Sequence, residues 1–359
     1  MSVEKSLEKQ QIQLLVEALQ ALPGIKGLDV DETQKRGMWT DAKITIKPVG
    51  GKPVVLMIEA KSRSLFPRDV RDIIWTVNGD ERFQVTNPPL ALLEAYSLSQ
   101  GAKDMLHQNN IGYFDSGGSL FIPAPGFYVL VDKPEPKPIE KKNRAMFRGK
   151  RAQVMHAMLQ RHHQWVSLKD IAEEAEVAPA TASDAMSMLD LFDWVSAQGN
   201  GPSKERRLNK PGAMLDAWVA QIKTGRPPVF GRYYVPRAEA EALARKVSTI
   251  SNDLKLKCIV TGEVAAQHYT PHLSSISTVR CRVEIGARDK LVEALSAEPV
   301  DDGANLLILE SREEADFLFS EKRDGLKLAS PVIAYLDLIR APGRAAELAD
   351  HLRKEALGY

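Results

Sequence analysis

The chain has 359 residues, 44% hydrophobic and 26% charged, and its 48 Lys and Arg against 47 Asp and Glu leave a net charge of +1. A globally basic protein is thereby excluded, and any contact with nucleic acid has to come from local clusters. The length exceeds the roughly 250 to 300 residues that one core usually supports and predicts two or three domains, of α/β and α+β character.

No apolar run approaches the roughly 20 residues that span a bilayer, and the N-terminus, with Glu4, Glu8 and Lys9, lacks the apolar core of a signal peptide; a cytoplasmic protein is expected. Cys258 and Cys281, far apart and in apparent strands, read as buried thiols and not as a disulfide or a metal site.

The first domain is expected over residues 1–131. Leu7, Ile12, Leu15, Val16, Leu19 and Leu22 recur at helical spacing until Pro23-Gly24 stops the helix. Strands are predicted at 27–30, 41–46 and 54–58, the last two joined over Gly50-Gly51. A helix from Pro67 to Val77, a strand at 90–96, a helix at 100–108 and a closing hairpin over Gly117-Gly118 complete a mixed α/β order.

Asp41 at the start of one strand and Glu59-Ala60-Lys61 at the end of the next form D-x17-E-x-K. A hairpin returns its second strand beside its first, so the two carboxylates can converge and bind Mg²⁺, and the period of two sets Lys61 on the face of Glu59. Two hard oxygen ligands and one cation suit phosphodiester hydrolysis. The motif and the order of elements resemble the PD-(D/E)xK nuclease superfamily, with Thr40 where that superfamily often has proline. The resemblance implies Asp41 and Glu59 as metal ligands, Lys61 as the catalytic lysine and Glu17 as a further acid. A strand end with solvated charges, or an inherited fold that no longer cuts, accounts for the same residues.

Residues 132–146 are expected to be an extended spacer, because DKPEPKPIEKKN combines three prolines with alternating charge. Lys141, Lys142 and Arg144, continuing into Arg148, Lys150 and Arg151, make a basic approach to the third segment.

That segment, residues 147–224, opens with a helix over 150–160. Ser167 is a good N-cap for a second helix, with Asp170 three residues on near its positive end. After the turn Glu176-Val177-Ala178, Pro179 suits the first turn of a third helix reaching Leu191, with Ala182, Ala185, Met186 and Leu189 inward. Two short strands then flank a glycine-rich tip, followed by Lys204, Arg206 and Arg207. Three helices and a hairpin in this order read as a winged helix-turn-helix that binds double-stranded DNA. Thr181, Ser183, Asp184 and Ser187 would face base edges, with Lys150, Arg151 and the wing cations on phosphates. A small protein-binding domain with solvated charges has the same pattern.

Residues 225–359 predict a second α/β domain. Val260-Thr261-Gly262-Glu263-Val264-Ala265-Ala266, Gly303-Ala304-Asn305-Leu306, Ser330-Pro331 with Ala334-Tyr335-Leu336-Asp337-Leu338, and Gly343-Arg344-Ala345 before Leu352-Arg353 resemble the C-terminal region of AbiEi antitoxins. A winged helix ahead of such a domain is similar to that family's arrangement, and the resemblance spans roughly 151–359. It implies a transcriptional autorepressor that counteracts a nucleotidyltransferase toxin, and it leaves a homodimer open. The rival expectation is a Mg²⁺-dependent endonuclease targeted by the winged helix. The sequence holds no phosphate loop, no dinucleotide fingerprint and no zinc spacing.

Overall fold

The computed structural model describes residues 3–31, 39, 41–134, 146–272, 275–341 and 345–359, with side chains from residue 10 onward and excepting that of Pro202. Thr40, Lys141, Lys142, Arg144 and Gly343 lie outside the described residues, as do 135–145 of the expected spacer. The chain divides into two compact units, one formed by Met1–Lys142 with Met188–Asp193, the other by Asn143–Ser187 with Trp194–Tyr359. The architecture is mixed α and β throughout.

In the first unit, α1 (Val3–Gln20) leads into β1 (Ile25–Asp31), β2 (Ala42–Pro48) and β3 (Val54–Leu65); α2 (Pro67–Gly79), β4 (Leu90–Leu98) and α3 (Gln100–Gln108) follow, then β5 (Gly112–Asp115), β6 (Leu120–Ala124) and β7 (Phe127–Val131). The strands form one seven-stranded sheet in chain order, antiparallel except where β4 runs parallel to β3 and β5. Strand parity sorts the core into two layers. Leu56, Ile58 and Ala60 face Ile12, Leu15 and Leu19 of α1. On the opposite face Leu93 and Ala95 pack with Val70, Ile73 and Ile74 of α2 and Leu106 of α3.

Two differences from the sequence expectation have local causes. β3 runs on past Ile58 to Leu65, because β4 continues beside it and supplies the ladder for its charged second half. β7 is an added strand: Pro125-Gly126 looks like loop, yet Gly126 at φ 77° completes a tight turn that returns the chain onto β6.

In the second unit α4 (Gly149–Gln160), α5 (Leu168–Glu174) and α6 (Pro179–Leu191), the last of them as far as Ser187, are followed by α7 (Pro211–Thr224). Three short strands, β8 (Val166–Ser167), β9 (Val195–Gln198) and β10 (Glu205–Leu208), form an antiparallel sheet with β10 in the centre. The remainder builds a second seven-stranded sheet from β11 (Gly231–Tyr234), β12 (Cys258–Thr261), β13 (Val279–Glu284), β14 (Glu298–Pro299), β15 (Leu306–Ser311), β16 (Glu321–Arg323) and β17 (Leu326–Leu328). Their order is β14-β11-β15-β13-β12-β17-β16. Five helices accompany it: α8 (Ala240–Asp253), α9 (Gly262–Tyr269), α10 (Arg288–Leu295), α11 (Pro331–Leu338) and α12 (Ala345–Leu352).

α4 joins the two parts of this unit. Every residue from Ala152 to Leu159 is buried, which one amphipathic face cannot achieve. His156 explains how a polar residue is kept inside: Nδ1 lies 3.1 Å from the carbonyl of Ala315, and Nε2 lies 2.7 Å from Oγ of Ser330. A carbonyl only accepts, so Nδ1 carries the proton and Nε2 takes the Ser330 hydroxyl hydrogen. The same Ser330 Oγ caps α11 by accepting from Ile333 N at 3.2 Å. Burial pushes the His156 imidazole from its ordinary 6.5 to about 4, against the opposing pull of the Ala315 carbonyl.

Candidate nucleic-acid interface

The turn region of the second unit is built by local rules. Ser167 caps α5, its Oγ accepting from Asp170 N at 3.2 Å while the Asp170 carboxylate accepts from Ser167 N at 3.2 Å. The Ser167 contacts hold the Asp170 carboxyl below its usual range. Glu176 then turns the chain at φ 52°, and Pro179 begins α6. Ala182, Ala185, Met186 and Leu189 are fully buried.

The opposite stripe of α6 is polar and faces solvent. Ser183, Asp184 and Ser187 are exposed, while Thr181 is half-buried. The Ser187 hydroxyl donates to the Ser183 carbonyl at 2.8 Å. Asp184 Oδ2 accepts from Arg151 Nε at 2.8 Å and Nη2 at 2.6 Å. Two of the expected DNA-contacting residues therefore hold one another, and the helix presents a neutral surface and not a bare carboxylate. Lys150, one residue earlier on α4, is exposed.

Lys204, Arg206 and Arg207 do not act as one cluster. Successive residues of a strand point to opposite faces, so Arg206 turns toward α6, its Nη1 3.8 Å from the Met186 sulfur, and Lys204 is half-buried. Arg207 faces outward with its guanidinium 4.9 Å from the ring centroid of Trp165. That pair is invisible in the sequence, where the residues stand far apart, and follows from the register that sets Arg206 opposite Val166.

The D-x17-E-x-K residues of the first unit also come together. Ala42 pairs with Ile58, so Asp41 and Glu59 meet across the β2–β3 hairpin. Asp41 Oδ2 accepts from Ala60 N at 2.8 Å. Glu59, 5% exposed, accepts from Trp39 N at 2.5 Å through one oxygen and from Lys61 Nζ at 2.6 Å through the other. Glu17 stands apart: it is exposed and accepts from Gln13 at 3.2 Å. The inward polar residue of α1 is Gln11, whose amide, turned to satisfy its neighbours, donates to the Lys61 carbonyl at 3.3 Å and accepts from Tyr96 N at 2.8 Å.

A residue without any motif completes this region. Glu94 lies on β4 beside Ala60, 1% exposed, with no hydrogen-bond partner on Oε2 among the described residues. Burial, with the Asp41 charge adding to it, pushes its carboxyl up to about 8. A magnesium ion here would have to share its oxygens with the hydrogen bonds already present, since a carboxylate oxygen can accept more than one contact. Both Glu59 oxygens and one of Asp41 already accept hydrogen bonds, and among the described residues no three His, Cys, Asp or Glu are grouped to hold a metal.

Comparison with known proteins bears on the second unit. Residues 207–358 match the model of a family described as a transcriptional regulator, the AbiEi antitoxin of type IV toxin-antitoxin systems. The match begins on β10, so it takes in the end of the small sheet and everything after it, and it is evidence for a regulatory role. No curated protein and no solved structure matches significantly. Among the described residues no helix is long and apolar enough to cross a membrane.

Proposed function

We propose that the protein is a double-stranded DNA-binding transcriptional regulator of the AbiEi antitoxin type. In this reading residues 149–208 form a winged helix: α6 enters the major groove, and the β9–β10 hairpin is the wing that lies along the backbone. The observation that carries it is the exposed polar stripe of Ser183, Asp184 and Ser187 on α6, next to outward Arg207 and within the same compact unit as the family-matched region. The partner implied by that family is a nucleotidyltransferase toxin.

Phosphate contacts position the protein and base contacts select sequence. Replacing Lys204, Arg206 and Arg207 with Ala should weaken binding to any duplex and flatten its salt dependence by roughly one counterion per lost contact. Replacing Thr181, Ser183 and Ser187 should act on sequence preference more than on overall affinity. Fluorescence anisotropy on specific and random duplexes, over a salt series, reads both; an unchanged salt slope in the triple wing variant removes the wing from the interface.

The endonuclease alternative rests on Asp41, Glu59 and Lys61 alone. Glu59 accepts one bond on each oxygen, from Trp39 N–H and from Lys61, and the reading preferred here is a scaffold kept for binding, which the cleavage assay tests.

A further inference from the structure

The two outer strands of the first unit's sheet are different in kind. β1 carries Lys26, Asp29 and Asp31, its ladder to β2 is irregular between Ile25 and Gly27, and Asp29 is ion-paired with Lys47 at 2.5 Å. Charge and irregularity of this sort keep an edge from pairing with another chain. β7, Phe-Tyr-Val-Leu-Val, has neither. The outer strands of the other two sheets are β8 and β14, two residues each, the four-residue β9, and β16, whose Glu-Lys-Arg sequence is wholly charged. Among the described residues β7 is thus the one edge of five residues or more without a charged side chain.

Its ladder shows which main-chain groups point away from β6. Pro123 lies opposite Tyr128. Proline has no N–H to exchange, so this is a non-hydrogen-bonded pair, and two residues along Phe121 and Leu130 form another. Phe121 instead pairs on its other side with Tyr113. The N–H and C=O groups of Tyr128 and Leu130 therefore point away from β6, out of the sheet. Their side chains are 62% and 49% exposed, whereas Phe127, Val129 and Val131 pack toward α1.

We propose that β7 is a dimerisation strand: a second copy of this chain adds its own β7 antiparallel, across a two-fold axis at Val129, and joins the two sheets into one. The occupant follows from the symmetry of the strand. About that axis Tyr128 stands opposite the partner's Leu130 and Leu130 opposite the partner's Tyr128, so the outward main-chain groups of each residue meet their complements. An aromatic and an aliphatic side chain pair on one face, twice, which is a favourable cross-strand combination. Beyond the strand, Asp132 meets the partner's Gly126 and Lys133 the partner's Pro125, and no like charges face each other. A patch that is its own complement under a two-fold is what an isologous dimer requires.

The test is the mass of the full-length protein by light scattering over a wide concentration range, beside Leu130→Lys and Leu130→Pro. Proline at 130 removes only an outward N–H and leaves the β6 ladder intact, so both variants should keep the wild-type circular dichroism. The wild type should run at about twice its 39.8 kDa and both variants at the monomer mass. The Tyr128→Cys, Leu130→Cys double variant should form an interchain disulfide under mild oxidation, which native Cys258 and Cys281, both buried, do not supply. A monomeric wild type overturns the proposal. So does a dimer that Leu130→Lys leaves intact, which would place the interface elsewhere, or a dimer whose 128/130 cysteines fail to cross-link.

Discussion

Glu94 makes the first unit sensitive to alkali, and Glu94→Gln should remove the sensitivity. The carboxyl is buried on β4 beside Ala60 and Asp41, and its pKa is raised from 4.5 to about 8. Folding thus holds a proton that the unfolded chain has released, so the unit is penalised as pH rises through the interval between those values and is unaffected below it. At about 1.4 kcal/mol per pH unit, the penalty is on the order of 3 kcal/mol at pH 7 and 5 kcal/mol at pH 8 and above. Glutamine has the shape of the protonated acid and does not titrate. At pH 4.5 the variant should match the wild type, and at pH 8 it should be the more stable by a few kcal/mol. Urea unfolding at a series of pH values, with hydrogen exchange on β4 to identify the transition of the first unit, measures both. A wild type whose first unit is equally stable at pH 5 and pH 8.5, or a variant that keeps the wild-type slope, refutes the burial argument.

Three further outcomes are expected. His156 titrates with the opposite sign: folding lowers its pKa from 6.5 to about 4, so stability of the second unit is whole above 6.5 and falls by about 3 kcal/mol on acidifying to pH 4. His156→Gln should flatten that acid limb in the same urea series, and an unaltered limb would assign it to other groups. Arg282 is buried between Asp337, which it meets at 2.9 Å through Nε, and Asp316. Burial works against its charge, but the two carboxylates more than offset it and the pKa is raised; Arg282→Ala strands both acids and should cost about 3 to 5 kcal/mol in chemical denaturation, whereas a loss below about 1 kcal/mol would mean that water replaces the guanidinium. Plasmid, linear duplex and single-stranded DNA incubated with the protein in Mg²⁺ or Mn²⁺ should remain intact on gels, and cutting that Lys61→Ala abolishes would restore the endonuclease reading.

What the sequence made legible is what local chemistry decides. Ser167 as a cap, Pro179 as the opening of α6 and the buried stripe of Ala182, Ala185, Met186 and Leu189 all follow from neighbours within one or two turns. The meeting of Asp41, Glu59 and Lys61 needed only the hairpin register. The rest depends on pairings between distant segments. Arg151 with Asp184, Arg207 with Trp165, and the isolation of Glu94 beside Asp41 each require a tertiary neighbour that no periodicity announces. Strand parity likewise sets Arg206 beside Met186 and Arg207 over Trp165, adjacent in sequence and on opposite faces of β10.

The burial of α4 on all sides bears on how a regulator of this type would be controlled. One flank of α4 carries Arg151, which holds Asp184 on the exposed stripe of α6. Five residues on, His156 bonds to Ala315 and to Ser330, the cap of α11. At the start of the same helix Gly149 N donates to Glu313 at 2.8 Å. The face proposed to read DNA is therefore tied to the family-matched region by hydrogen bonds at several points along rigid helices. A partner that binds residues 225–359 and shifts α11 would have to break the His156–Ser330 bond or carry α4 with it. If α4 is carried along, Arg151 moves with it and the exposed charge of Asp184 changes. Coupling by this route requires two discrete arrangements of α4, and it predicts that Ser330→Ala, which breaks the link without touching the DNA face, alters the effect of the partner on DNA binding more than it alters DNA binding itself.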